Sequence, residues 1–79
     1  MDGTYAFSVI LEPAEERGFV VHVPTLPEIC TDGDSEDEAL DMAREAIELV
    51  IESRRERGEA IPFEVDKPVL RSVTVCLPV

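Results

Sequence analysis

Basic residues, histidine, cysteine and long apolar runs are all scarce in this chain, and each scarcity removes a class of protein. Seven of its 79 residues are Lys or Arg and eighteen are Asp or Glu, for a net charge of −11. Such a surface repels nucleic-acid phosphates and favours a basic protein partner or simple solubility. The densest basic cluster, Arg54-Arg55-Glu56-Arg57, lies among acids and reads as a solvated helix end. Two cysteines, Cys30 and Cys76, do not make a disulfide framework, so both are expected as reduced thiols. No apolar run approaches the ~20 residues of a membrane span. No apolar segment behind a basic start marks a signal peptide. The expected location is cytoplasmic.

His22 is the single histidine, and a general base needs a positioned nucleophile and orienting partner. No motif around the four serines supplies one. A histidine on a strand face reads instead as a surface or interface residue. His22, Cys30 and Cys76 offer three zinc-ligand types but lack the paired short spacings of a structural zinc site. The run Asp32-Gly33-Asp34-Ser35-Glu36-Asp37 glances at a calcium loop. The required Gly and Glu positions, sixth and twelfth, hold Asp37 and Ala43. No cofactor and no metal are expected.

What is present is one small domain, residues 1–79, with an apolar fraction of 44% that suits a folded core. Residues 4–12 alternate, with Tyr5, Phe7, Val9 and Leu11 on one face, which predicts a strand. Residues 13–18 form a polar turn. Residues 19–23 form a second strand, antiparallel to the first across that short connection. A short third strand is expected at residues 29–31. Pro24 and Pro27 interrupt any ladder between them, because neither carries a backbone donor.

Ser35 stands three residues before Glu38, the spacing of a capping box. The helix it opens is expected over residues 36–57. Ala39, Leu40, Ala43, Ala46, Ile47, Val50 and Ile51 form its apolar stripe. Acids crowd its start and arginines its end, both complementing the macrodipole. Gly58 is the natural residue past its end. After a connector broken by Pro62 and Pro68, residues 69–77 alternate again, with Val73, Val75 and Leu77 on one face, which predicts a last strand.

The order β-β-β-α-β predicts an α+β fold. A right-handed crossover places strand four parallel to strand one, giving a four-stranded mixed sheet of order 3-2-1-4 with one long helix on one face. Expected core residues include Phe7, Val9, Val21, Leu40, Ala43, Ile47, Val50 and Val75. Such a sheet leaves one face and two edges bare, so a homodimer or homotetramer is expected.

The central stretch reads Pro24-x-Leu26-Pro27-x-x-Cys30-Thr31-x-Gly33-Asp34-Ser35-x-x-Glu38-Ala39. It resembles the hallmark of HicB-like antitoxin domains, P-D-L-P-G-C-x-T-x-G-D-[ST]-x-E-E-A. The likeness extends to Arg17-Gly18-Phe19-Val20-Val21 and to Gly58-x-x-Ile61-Pro62. Thr25 stands where the family usually has Asp, and Glu28 where it usually has Gly. Glu28 disfavours a positive φ at that point.

The resemblance implies a partial ribonuclease H-like fold. It also implies an antitoxin that neutralises a small basic HicA-like mRNA-cleaving toxin. The alternative is an orphan HicB-like oligomeric interaction protein with a different ligand. Family members often append a DNA-binding domain. This sequence carries none, so direct DNA binding is not expected. A ribonuclease H-like topology raises nuclease activity, which needs carboxylates converging on metal ions. The first strand offers only Glu12 and the last offers none, so no enzyme activity and no catalytic residue is expected.

Overall fold

A computed structural model describes residues 5–64 and 66–78 of the chain. Strand β1 spans Ile10–Pro13, β2 spans Phe19–His22, β3 spans Cys30–Gly33, and helix α1 spans Glu36–Glu56. The three strands form one antiparallel sheet in the order β1-β2-β3. Leu11 faces Val21 and Val21 faces Thr31, so this row shares one face of the sheet. That face lies under α1: Val21, Ala39 and Ala43 are buried together, with Val9, Leu11 and Phe19 packed against them.

The helix starts and stops where the local chemistry dictates. The Ser35 hydroxyl accepts from the Glu38 amide at 3.1 Å. Among the described residues the Glu38 carboxylate makes no return bond, so half of the capping box is formed. At the other end the Gly58 amide donates to the Arg55 carbonyl and the Glu59 amide to the Arg54 carbonyl. Gly58 has φ +70°, which completes a Schellman motif and satisfies two orphan carbonyls.

A second core cluster lies under the far half of α1. Val23, Leu26 and Ile29 are buried there against Phe7, Val9, Ala46, Ile47 and Val50. Leu26 reaches this site because two tight turns fold the proline segment inward. The Leu26 amide donates to the Val23 carbonyl and the Ile29 amide to the Leu26 carbonyl, at 2.9 and 3.0 Å.

Of the four strands expected in the order 3-2-1-4, the chain's own sheet contains three, in the order β1-β2-β3. Residues 69–77 form no strand within this chain's own sheet. They run extended and exposed, with Leu70 at 90% and Val73 at 84% of full accessibility. Their alternation fits a strand, but a strand also needs a ladder neighbour.

The first strand is also shorter than expected over the described part of residues 4–12, with a ladder only from Ile10. Its partner β2 stops at His22, one residue before the turn that Val23 and Pro24 begin. Residues 5–9 therefore have no neighbour to pair with on that side. Two expected core residues are exposed as a result. Val75 lies on the detached segment, and Leu40 looks out over an empty groove.

Candidate interaction surface

The residues of the central stretch assemble a tight junction between the sheet and the start of the helix. Gly33 is buried with its α-carbon against the first turns of α1. A Cβ there would stand 2.4 Å from the Ala39 nitrogen and 2.6 Å from its Cα. Gly18, at φ +82°, lies against the same junction, where a Cβ would meet the Gly33 carbonyl oxygen at 2.4 Å. Arg17 reaches across to Asp34 at 3.2 Å. Gly18, Gly33, Asp34 and Ser35 thus hold the sheet–helix junction together.

Glu28 serves as a clamp. Its φ is not positive, so the residue fits without strain. Its carboxylate accepts from the Arg54 guanidinium at 2.8 Å, tying the proline segment to the last turn of α1. That hydrogen bond, followed by one from the Glu28 backbone, holds the carboxyl below its ordinary value. Beside it, Arg57 grips Glu59 with contacts of 2.7 and 3.2 Å. The same bonds lower the Glu59 carboxyl and raise the Arg57 guanidinium.

Among the described residues, two surfaces stand out as open to a partner. The first is an apolar groove of about 510 Å³ between residues 5–9 and the flank of α1. Tyr5, Phe7 and Val9 line one wall, and Leu40, Ala43, Ile47 and Ile51 the other, with Arg44 and Glu48 beside them. The second is charged. Asp41, Glu45, Glu48, Glu52 and Glu56 recur at spacings of three and four along α1 and are all exposed. They form an acidic stripe roughly 22 Å long.

Of the residues weighed for chemistry, Glu12, His22 and Cys30 share the open sheet face, and Cys76 does not join them. Glu12 and His22 meet on the open sheet face, Oε2 to Nε2 at 3.0 Å, both well exposed. Cys30 lies opposite His22 across β2 and β3, whereas Cys76 sits on the detached segment. Both thiols are free and exposed. Among the described residues no three His, Cys, Asp or Glu side chains are grouped to hold a metal ion. No helix there is long and apolar enough to cross a membrane. The groove and Leu26 escaped the sequence. An apolar residue held between two prolines, which have no backbone donors to contribute to a ladder, is the signal that marks Leu26 as an inward pin.

The fold is that of a small α+β domain that presents an apolar groove and an acidic helix stripe. Residues 7–71 match the family described as HicB_like antitoxin of bacterial toxin-antitoxin system, and the chain belongs to that family. It is 45% identical over 57 residues to Antitoxin HicB 1 of Photorhabdus laumondii, covering 72% of this chain and 37% of that protein. The chain thus spans little more than a third of that relative's length. It is 39% identical over 61 residues to a UPF0150 protein of Archaeoglobus fulgidus, covering 75% of this chain and 88% of that one. A UPF0150 protein of Thermoplasma acidophilum is 41% identical over 56 residues, covering 71% and 81%. No solved structure matches the chain.

Proposed function

We propose that this chain is an antitoxin that binds and silences a small basic HicA-like mRNA-cleaving toxin, without enzymatic activity and without binding DNA itself. The observation that carries this reading is family membership over residues 7–71. The acidic stripe on α1 supports it, since it offers a basic protein a continuous line of carboxylates on a rigid element. Charge speeds encounter and apolar anchors hold the complex, so Met42 and Leu49, exposed on α1, are the proposed anchors beside the stripe. The whole chain, residues 1–79, acts as one HicB-like domain in a cytoplasmic setting.

The second reading is an orphan HicB-like oligomeric protein with a different ligand. It is favoured by the apolar groove and the bare segment 69–77, which call for a partner whether or not a toxin exists. In either case the four-stranded, partial ribonuclease H-like sheet belongs to an assembly, a homodimer or homotetramer.

The deciding experiment co-expresses this chain with a small basic protein encoded beside it. Growth rescue and co-purification are expected, and Glu45→Lys with Glu52→Lys should abolish both. A toxic neighbour that the chain neither rescues nor retains refutes the antitoxin reading and promotes the second.

A further inference from the structure

We propose that residues 69–77 of one copy dock as an added strand beside residues 5–9 of a second copy, closing its groove, and that the exchange is reciprocal. This rests on the bare segment and the groove, and does not depend on a toxin.

The segment is built as a strand and has nothing to pair with. Val69, Val73, Val75 and Leu77 recur at even spacing, all between 66% and 84% exposed. Its root leaves the body beside β1. Lys67, Pro68, Val69 and Leu70 line a small cavity with Ser8, Val9 and Ile10. Beyond Leu70 the chain projects outward, and the molecule reaches 57 Å in its longest dimension with a radius of gyration of 15.5 Å. A compact chain of this length has about 12 Å. The segment therefore does not fold back over its own groove.

The groove is shaped for such a strand. Residues 5–9 lie outside any ladder. A bond recorded for this backbone runs from the Ser8 amide to the Glu64 carboxylate at 3.2 Å, where a neighbouring strand would offer a carbonyl. Across from them, Leu40, Ala43, Ile47 and Ile51 overhang the position a fourth strand would take. Main-chain pairing along an open edge, with side chains entering apolar pockets, is strand addition.

Charge selects a second copy as the occupant. Arg71 lies on the segment and Lys67 at its root, so residues 67–79 carry +2 with no acid, and within a total of −11 residues 1–66 carry −13. A positive apolar strand meets a negative body. Every copy presents both, so a two-fold axis satisfies both at once and buries the segment twice. A stable contact needs about 1,200–2,000 Å² in total, which doubling the arm contact serves.

The test is the mass of the full chain in reducing buffer, because Cys30 and Cys76 are exposed thiols. A dimer is expected at ~100 µM, well above typical specific dissociation constants. Leu40→Glu in the groove and Val75→Glu on the segment should each weaken it by about a hundredfold, since each loss is felt at both symmetric contacts. Leu49→Glu, outside the groove, should leave it intact. Circular dichroism checks that each variant keeps its helix. Mixing the two weakened variants is decisive. The Leu40→Glu copy keeps a sound segment and the Val75→Glu copy a sound groove, so a heterodimer with one intact contact should form. A monomeric parent chain, a dimer indifferent to Val75→Glu, or a mixture that forms no heterodimer overturns the proposal. The last result would mean that the segments pair with each other. None of these outcomes depends on toxin neutralisation, which stands or falls on the co-expression assay.

Discussion

Gly33 and Gly58 show how differently one residue type is used. At Gly33 a Cβ would press into the backbone of Ala39, which cannot swing aside as a flexible side chain could. Gly33→Ala should therefore cost about 3 kcal/mol or more, the upper range for overpacking. At Gly58 nothing lies within 4 Å, so only the left-handed φ opposes a side chain. Gly58→Ala should cost about 1–2 kcal/mol. Denaturant midpoints of the two variants check the order, and equal midpoints would mean that the junction at Ala39 relaxes freely. Ser35→Ala removes the acceptor for the Glu38 amide and should cost about 1 kcal/mol by the same measurement. The cap, the turn and the helix stop were legible because each depends on a few adjacent residues. The Glu28–Arg54 clamp was not, since its partners are 26 residues apart. It gives a pH dependence of known sign. The folded carboxyl lies below its ordinary value of 4.5, so its stabilisation is present above that value and is lost as pH falls through the lower folded one. The pair is exposed, so the effect is small and weakened by salt. Glu28→Gln should flatten the thermal midpoint between about pH 5 and pH 3 relative to the parent. An unchanged slope would show that the clamp does not persist in solution.

The elements divide by whether they find their partners locally. Helix α1 carries its own hydrogen bonds, so its apolar period and capping residues suffice to place it at Glu36–Glu56. Strands β1 and β2 are joined by a short turn, and their pairing follows from alternation and that turn. Residues 69–77 have an equally good alternation, yet alternation cannot say which molecule supplies the neighbouring strand. The same gap misplaced Leu40, which sits on the helix stripe but faces the groove instead of the core. The proline segment is the converse case. It has no period, yet its turns deliver Leu26 to full burial. Leu26→Ala should cost about 2–5 kcal/mol, the range for a buried leucine that leaves a cavity. That is a large share of the stability of so small a domain. A loss under about 1 kcal/mol would mean that the segment closes over the gap and that the second cluster is not a core.

Charge governs the molecule as a whole. With residues 1–66 at −13 and residues 67–79 at +2, the molecule is polar in the electrostatic sense, and only its negative part is large enough to steer a partner from a distance. Two copies joined through their segments would present −22 together. Steering acts on encounter, before apolar side chains touch, and reaches about a Debye length, ~8 Å at physiological salt. Raising salt from about 50 to about 500 mM should therefore slow association with a basic partner by tenfold or more. Dissociation should change much less, because the apolar contacts that hold the complex are barely screened. Stopped-flow mixing with the co-purifying basic protein separates the two rates. If the salt effect fell mainly on dissociation, the ion pairs would be buried contacts rather than a steering field. The exposed stripe on α1 would then not be the surface that meets the toxin.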